Sequence, residues 1–185
     1  MATRLSIASI TILTLIVGAC ASPSTPPPAA SMPTPGPAPT FVLTSDAFGH
    51  EGVIPKKFSC DGQNISPRLQ WNGAPSNTQS FVLIMDDPDA PIGTFTHWVA
   101  FDIAATQNEI REGALSAGKG GKNSVGRIGY TGPCPPSGTH RYFFTLYALD
   151  LATLGLNEGA SRTEIEKAMS GHVLAQAQLM GKYSR

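Results

Sequence analysis

Two unbroken apolar runs, Phe81-Val82-Leu83-Ile84-Met85 and Phe143-Phe144-Thr145-Leu146-Tyr147-Ala148-Leu149, dominate the hydrophobic pattern. They are too apolar to alternate cleanly, and Gly, Pro, Asn or Asp bound them, so they predict central strands covered on both faces. With their flanks they span Ser80 to Met85 and Tyr142 to Leu149; Phe41-Val42-Leu43 and Trp98 to Ile103 also have strand character. One long helix is predicted. After Gly159-Ala160, either Ser161 with Glu164 or Thr163 with Glu166 can form a capping box. Ile165, Met169, His172, Val173, Gln176 and Leu179 then share one helical face, and Gly181 ends the segment. Four or more strands followed by a terminal helix predict a mostly β fold, antiparallel, with helical elements at its edge.

The N-terminus has a different pattern. Arg4 precedes an apolar run from Ile7 to Val17, too short to span a bilayer, and small residues lead to Cys20. Residues 1–19 are therefore read as a signal peptide. Val17-Gly18-Ala19-Cys20 resembles a bacterial lipoprotein box, which predicts lipidation of Cys20, export and anchoring to the cell envelope; an ordinary signal cut near Ala19 is the alternative. Ala21 to Thr40 holds eight prolines among Ser, Thr, Ala and Gly, a composition that cannot form a core. Residues 20–40 are expected to form a tether reaching at most roughly 60 Å. Residues 41–185 remain for one domain.

The chain balances 13 basic against 13 acidic residues, and loss of Arg4 leaves one negative charge in excess. No nucleic-acid partner is expected from that charge. Three local motifs are discounted. Gly113 to Lys119 has P-loop spacing, but Gly120 follows where a hydroxyl is needed. Asn64-Ile65-Ser66 is a formal glycosylation sequon followed by Pro67, and no serine-hydrolase elbow or zinc-protease motif occurs.

Candidate chemistry is concentrated in Asp86-Asp87-Pro88-Asp89-Ala90-Pro91, Thr96-His97-Trp98 and the stretch from Tyr130 to Tyr142, which contains Gly132, Cys134, Pro136 and His140. A dehydrated phosphate or carboxylate needs converging donors, which imidazoles, a phenol and the N–H groups of a glycine loop can supply. Prolines lower the ordering cost of such a loop. Asp87 would repel an anion directly, so its useful place is behind a histidine. Asp87, Asp89, His97 and His140 could instead gather round a metal, but they lack tight ligand spacing; no metal or cofactor is expected. His50 and His172 have no role assigned from the sequence.

The order and spacing of these stretches resemble the phosphatidylethanolamine-binding protein family, specifically its bacterial Raf kinase inhibitor-like branch. The resemblance runs from about Phe41 to Tyr183. It includes Phe58 to Pro67 with Leu69 and Trp71, Asp87 to Pro91, His97-Trp98-Val99, Gly129-Tyr130, Gly132 to Pro136, His140-Arg141-Tyr142, and Gly171 to Ala175 with Leu179, Gly181 and Tyr183. It implies an antiparallel β-sandwich-like fold with a small anion pocket at one end. Asp87, Pro91, His97, Gly132, Pro136, His140 and Tyr142 would line or support that pocket. The short Pro91 to His97 linker and the stretch Gly120 to Gly126, with its Lys122, depart from the wider family pattern. The expected function is a membrane-tethered binding domain for a small anionic or phosphorylated ligand, without catalysis. The alternatives are a protease inhibitor working through a loop around Arg111 to Arg127, its protein target unknown, and a hydrolase using His97, His140 and Asp87. Cys60 and Cys134 are the cysteines left after Cys20; in an oxidising compartment they would form a disulfide, and otherwise two free thiols.

Overall fold

The computed structural model describes residues 40–114 and 117–185. The segments expected to be a signal peptide, a lipidation site at Cys20 and a tether, up to residue 39, lie outside them. No helix among the described residues is long and apolar enough to cross a membrane.

Strands form two sheets. The smaller has the order β1-β3-β6, from β1 (Val42–Thr44), β3 (Leu69–Asn72) and β6 (Glu109–Ile110). The larger has the order β2-β9-β8-β4-β5-β7. Its members are β2 (Gly52–Val53), β4 (Ser80–Asp87), β5 (Phe95–Ala104), β7 (Lys119–Gly120), β8 (Thr139–Leu149) and β9 (Val173–Ser184). All pairings between these strands are antiparallel except β2 with β9. The expected mostly β architecture is thus present.

The two apolar runs occupy the centre of the larger sheet, and their lack of alternation has a direct cause. Phe81, Leu83 and Met85 of β4 enter one core with Trp98 and Ala100 of β5 and Tyr142, Phe144 and Leu146 of β8. Leu43, Leu69, Trp71 and Ile110 of the smaller sheet belong to that core. Val82 and Ile84, between them in sequence, face the other side with Val99, Phe101, Leu149, Ile165 and Met169. Both faces of these strands are therefore dry, which favours an apolar residue at every position.

The helix prediction needs correction. α1 begins as expected, with Ser161 as N-cap and Glu164 completing the capping box, but it spans only Arg162–Met169. Gly171 has φ of +83°, a left-handed conformation that ends helices. From Val173 the chain turns into β9, which pairs with β8 from Thr139↔Ser184 to Leu149↔Val173. The helical spacing of Val173, Gln176 and Leu179 was coincidental. Ala177 and Leu179 are buried while Gln176 and Gln178 are exposed, the period of a strand. As a helix this segment would leave one whole edge of β8 unpaired, which tertiary pairing overrides local spacing to avoid.

Cys60 and Cys134 form a disulfide with Cα atoms 5.4 Å apart, closing a sequence separation of 74. In the chain-entropy account, cross-linking a loop of that length stabilises the fold by about 4 kcal/mol. The Cys60→Ser/Cys134→Ser variant is expected to lose several kcal/mol in urea unfolding relative to the oxidised protein. An unchanged midpoint and slope would remove this bond from the list of stabilising constraints.

Candidate functional site

Three neighbouring strands of the larger sheet bring the chemistry together. β4 ends at Asp87, β5 carries His97 at its third position, and β8 carries His140 at its second. The registers Asp87↔Phe95 and Asp86↔Phe143 place these residues at the same end of the sheet. All three are buried, at 4%, 4% and 8% exposure for Asp87, His97 and His140. Buried polar groups need partners.

Those partners fix the protons. His140 Nδ1 lies 2.7 Å from Asp87 Oδ2, and Asp87 Oδ1 accepts the Asp89 N–H at 2.8 Å. His97 Nδ1 lies 2.7 Å from the Thr131 carbonyl oxygen. A carbonyl only accepts, and so does a carboxylate, so Nδ1–H donates in both rings. Beyond these Nδ1 bonds neither ring makes a further hydrogen bond of normal geometry among the described residues, although the Gly132 backbone lies close enough to influence His97. Both rings line a recess of about 310 Å³, with Asp87 and the loops Ala90–Ile92 and Thr131–Pro136.

Both loops are pinned from outside. Asp89 Oδ2 accepts from Arg141 N and Nε, each at 2.9 Å, and Oδ1 accepts from Arg141 Nη2 at 2.7 Å. These bonds hold the Asp89 carboxyl well below its usual range, at about 2, and occupy the residue. On the other side, Gly132 N–H donates to Asn64 Oδ1 at 2.7 Å, Cys60 N–H to the Pro133 carbonyl at 3.0 Å, and the Tyr130 hydroxyl to the Phe58 carbonyl at 2.7 Å. A Cβ on Gly132 would sit 2.3 Å from the Phe58 carbonyl oxygen, so only glycine permits this approach. Asn123 Nδ2 donates to Thr131 Oγ1 at 2.9 Å, while its Oδ1 accepts from Val125 and Arg127 N–H. Thr131 is thereby held where its carbonyl meets His97.

Burial lowers the His97 pKa, opposed mainly by the Thr131 carbonyl and then by the Asp87 charge. The ring packs tilted against Phe95, centroids 4.7 Å apart with 54° between the planes, and meets Tyr142 edge-on at 5.2 Å. Tyr142 is wholly buried and its hydroxyl makes no hydrogen bond of normal geometry, although Asp87 and the Cys134 backbone lie close enough to influence it. Burial, with Asp87 next, pushes this phenol well above its ordinary pKa.

Asp87, Pro91, His97, Gly132, Pro136 and His140 all line the recess, and Tyr142 lies behind it against His97. The glycine-loop amides differ from expectation: Thr131 N–H donates to the His97 carbonyl and Gly132 N–H to Asn64, so neither is free for an anion. Lys122 is not part of the recess wall; it lines a separate depression with Glu158 and Glu164. His172 pairs with Asp150 at 2.9 Å, and His50 Nδ1 accepts from Met180 N–H at 3.3 Å. No group of three or more His, Cys, Asp or Glu among the described residues is placed to hold a metal ion. Sequence reasoning missed the apolar wall residues Ile92 and Phe95 and the supporting roles of Asn64, Asn123 and Thr131. For Asn64 the signal was present, since a turn-forming Asn among Gly and Asp residues often takes the left-handed backbone seen here, φ +56°.

The sequence profile of the phosphatidylethanolamine-binding protein family matches residues 44–184. A protein of Aquifex aeolicus named UPF0098 protein is 51% identical over 148 residues, covering 76% of this chain and 86% of that one. One from Methanothermobacter thermautotrophicus is 49% identical, covering 77% and 98%. Among solved structures, a putative phosphatidylethanolamine-binding protein homologue from Chlamydia trachomatis superposes with a TM-score of 0.76 at 41% identity, covering 78% of this chain and 97% of that one. E. coli YbcL, described as a member of the mammalian family, gives 0.73 at 28% identity, covering 78% and 98%.

Asn64→Gly keeps the backbone conformation but strands the buried Gly132 N–H. A lost partner of this kind costs about 1–3 kcal/mol. The variant is expected to unfold at lower urea and to exchange the Gly132 amide faster, with β8 amides less affected. Unaltered Gly132 exchange would show that Asn64 does not hold the loop.

Proposed function

The chain belongs to the phosphatidylethanolamine-binding protein family, and we propose that its recess holds a small anionic or phosphorylated ligand between His97 and His140 without transforming it. The observation that carries this reading is the pair of buried imidazoles whose Nδ1–H groups are both committed inward. Only Nε2 of each ring is left for a ligand. Once protonated, each offers a charge-assisted donor to one oxygen of an oxyanion. Asp87 behind His140 holds that ring in place, and Tyr142 backs the His97 ring from behind the recess. A binding role also suits the two wall residues with nucleophilic chemistry, because both are occupied. Thr131 Oγ1 accepts from Asn123, and Cys134 is in the disulfide.

The same reading includes export and lipid anchoring through Cys20, with residues 20–40 as the tether. It rests on the charge, apolar run and cysteine of the N-terminal sequence. Cys20→Ser is expected to move the protein from the membrane fraction to the soluble fraction on cell fractionation; unchanged membrane partition would refute the anchor.

Proton linkage supplies the test of the pocket. Burial lowers the pKa of free His97, so its ring is neutral near pH 7, and Asp87, His140 and Tyr142 are the titratable groups facing it. Binding an oxyanion at Nε2 favours the protonated ring and so takes up a proton. Affinity is then flat at pH below the free pKa and falls as pH rises from there to the higher, ligand-bound pKa, by at most tenfold per pH unit for each proton taken up. Calorimetric titration of phosphate from pH 5.5 to 8.5 is expected to show this fall. His140→Ala should weaken binding roughly ten- to a hundred-fold, the worth of one charge-assisted bond. Asp87→Asn should move the whole profile to lower pH. Equal phosphate affinity in wild type and His140→Ala would sink the proposal.

A further inference from the structure

The recess is larger and less polar than a bare phosphate needs. Inorganic phosphate displaces roughly two to three water volumes, about 60–90 Å³ at ~30 Å³ per water, against about 310 Å³ available. Beyond the His97–His140–Asp87 floor, Pro91, Ile92, Phe95, Pro135 and Pro136 supply most of the wall, with Ala90, Thr131, Gly132 and Cys134 completing it. Ile92 is 92% exposed, the most exposed large apolar side chain among the described residues. It stands at the mouth with little cover from its own chain, and Phe95 carries the apolar surface down to the His97 ring, which it meets at a tilt with centroids 4.7 Å apart.

Charge narrows the choice further. Among the described residues, no Lys or Arg lines the recess. With Asp87 ionised and both imidazoles protonated, the floor carries one net positive charge, which a monoanion neutralises and a dianion overfills. A buried excess charge is costly.

We propose that the ligand is a monoanionic organic acid whose acid group sits between His97 and His140 and whose apolar substituent fills the outer recess against Ile92, Phe95 and the prolines. This rests on the anion-pocket reading and adds the class of ligand. Burying one methylene is worth about 0.8 kcal/mol, close to fourfold in affinity. Substituents of a few carbons therefore make the difference between weak and useful binding, which the polar floor alone does not provide.

The test is a calorimetric series of methyl-, propyl-, butyl- and phenylphosphonate with inorganic phosphate as reference, at about pH 5.5, below a second phosphate-type ionisation near 6. Affinity is expected to rise two- to fourfold per methylene, with phenylphosphonate at least tenfold tighter than methylphosphonate. Ile92→Ser, at a site too exposed to disturb folding, should reduce that slope. If phosphate and methylphosphonate bind but affinity is flat or falls with chain length, the inference is overturned and the anion-pocket reading survives. A wild-type slope that Ile92→Ser leaves intact overturns the inference in the same way. If none of the series binds, phosphate included, both are overturned.

Discussion

Two protons govern the pocket end of this domain: the Nδ1–H of His140, given to Asp87, and the Nδ1–H of His97, given to the Thr131 carbonyl. A buried imidazole without such a bond could present either nitrogen, and the chemistry of the recess would be undefined. The other constraints at this end bear on those two acceptors. Asn123 holds Thr131, Asn64 and the disulfide hold the loop that carries it, and Arg141 with Asp89 holds the loop that follows Asp87. The loops that carry those acceptors are thus held by bonds made outside the recess. A ligand entering it has little ordering entropy left to oppose it.

The sheet supplies the second requirement, that the correct aspartate face the recess. Asp86 and Asp87 are adjacent, so the pleat sends them to opposite faces. Asp86 meets Arg162 of α1 at 3.1 Å and accepts from Thr96 Oγ1 at 2.9 Å; burial raises its pKa, with Arg162 opposing. Asp87 meets His140. A one-residue slip of β4 would exchange them, and with them Leu83 and Met85 for Val82 and Ile84. The apolar packing of both faces therefore fixes the register on which the hydrogen bond to His140 depends.

This division explains what could be read from the sequence. The central strands were legible because burial on both faces leaves an unbroken apolar run, and the helix start was legible because a capping box is local. The helix end was not. Residues Val173 to Leu179 satisfy a helical spacing and a strand spacing at once, and the choice is made by β8, some 30 residues away in sequence. The recess residues stood out by type and by family resemblance, since Asp87, His97, Gly132 and His140 lie in compact stretches. Asn123 to Thr131 and Asn64 to Gly132 did not stand out, because a single Asn carries no mark of the carbonyl or amide it will meet across the fold. The disulfide stayed open for a related reason: two cysteines name the candidates, while their distance follows only from the packing of residues 58–64 against the recess loop.

The chain enters the described domain far from the recess. Phe41 stacks on Phe81 near the start of β4, ring centroids 6.0 Å apart, whereas Asp87 ends the same strand. Six residues at ~3.3 Å each put about 20 Å between these points. Val42 and Leu43 continue directly into β1, paired with Asn72 and Trp71, so a pull on the preceding segment is borne first by that pairing and by the Phe41–Phe81 contact. The bonds that orient His97 and His140 lie at the other end of a sheet buried on both faces. Its stiffness isolates them, and the same rigidity that sets the two imidazoles for a ligand keeps them set however the N-terminal segment is held.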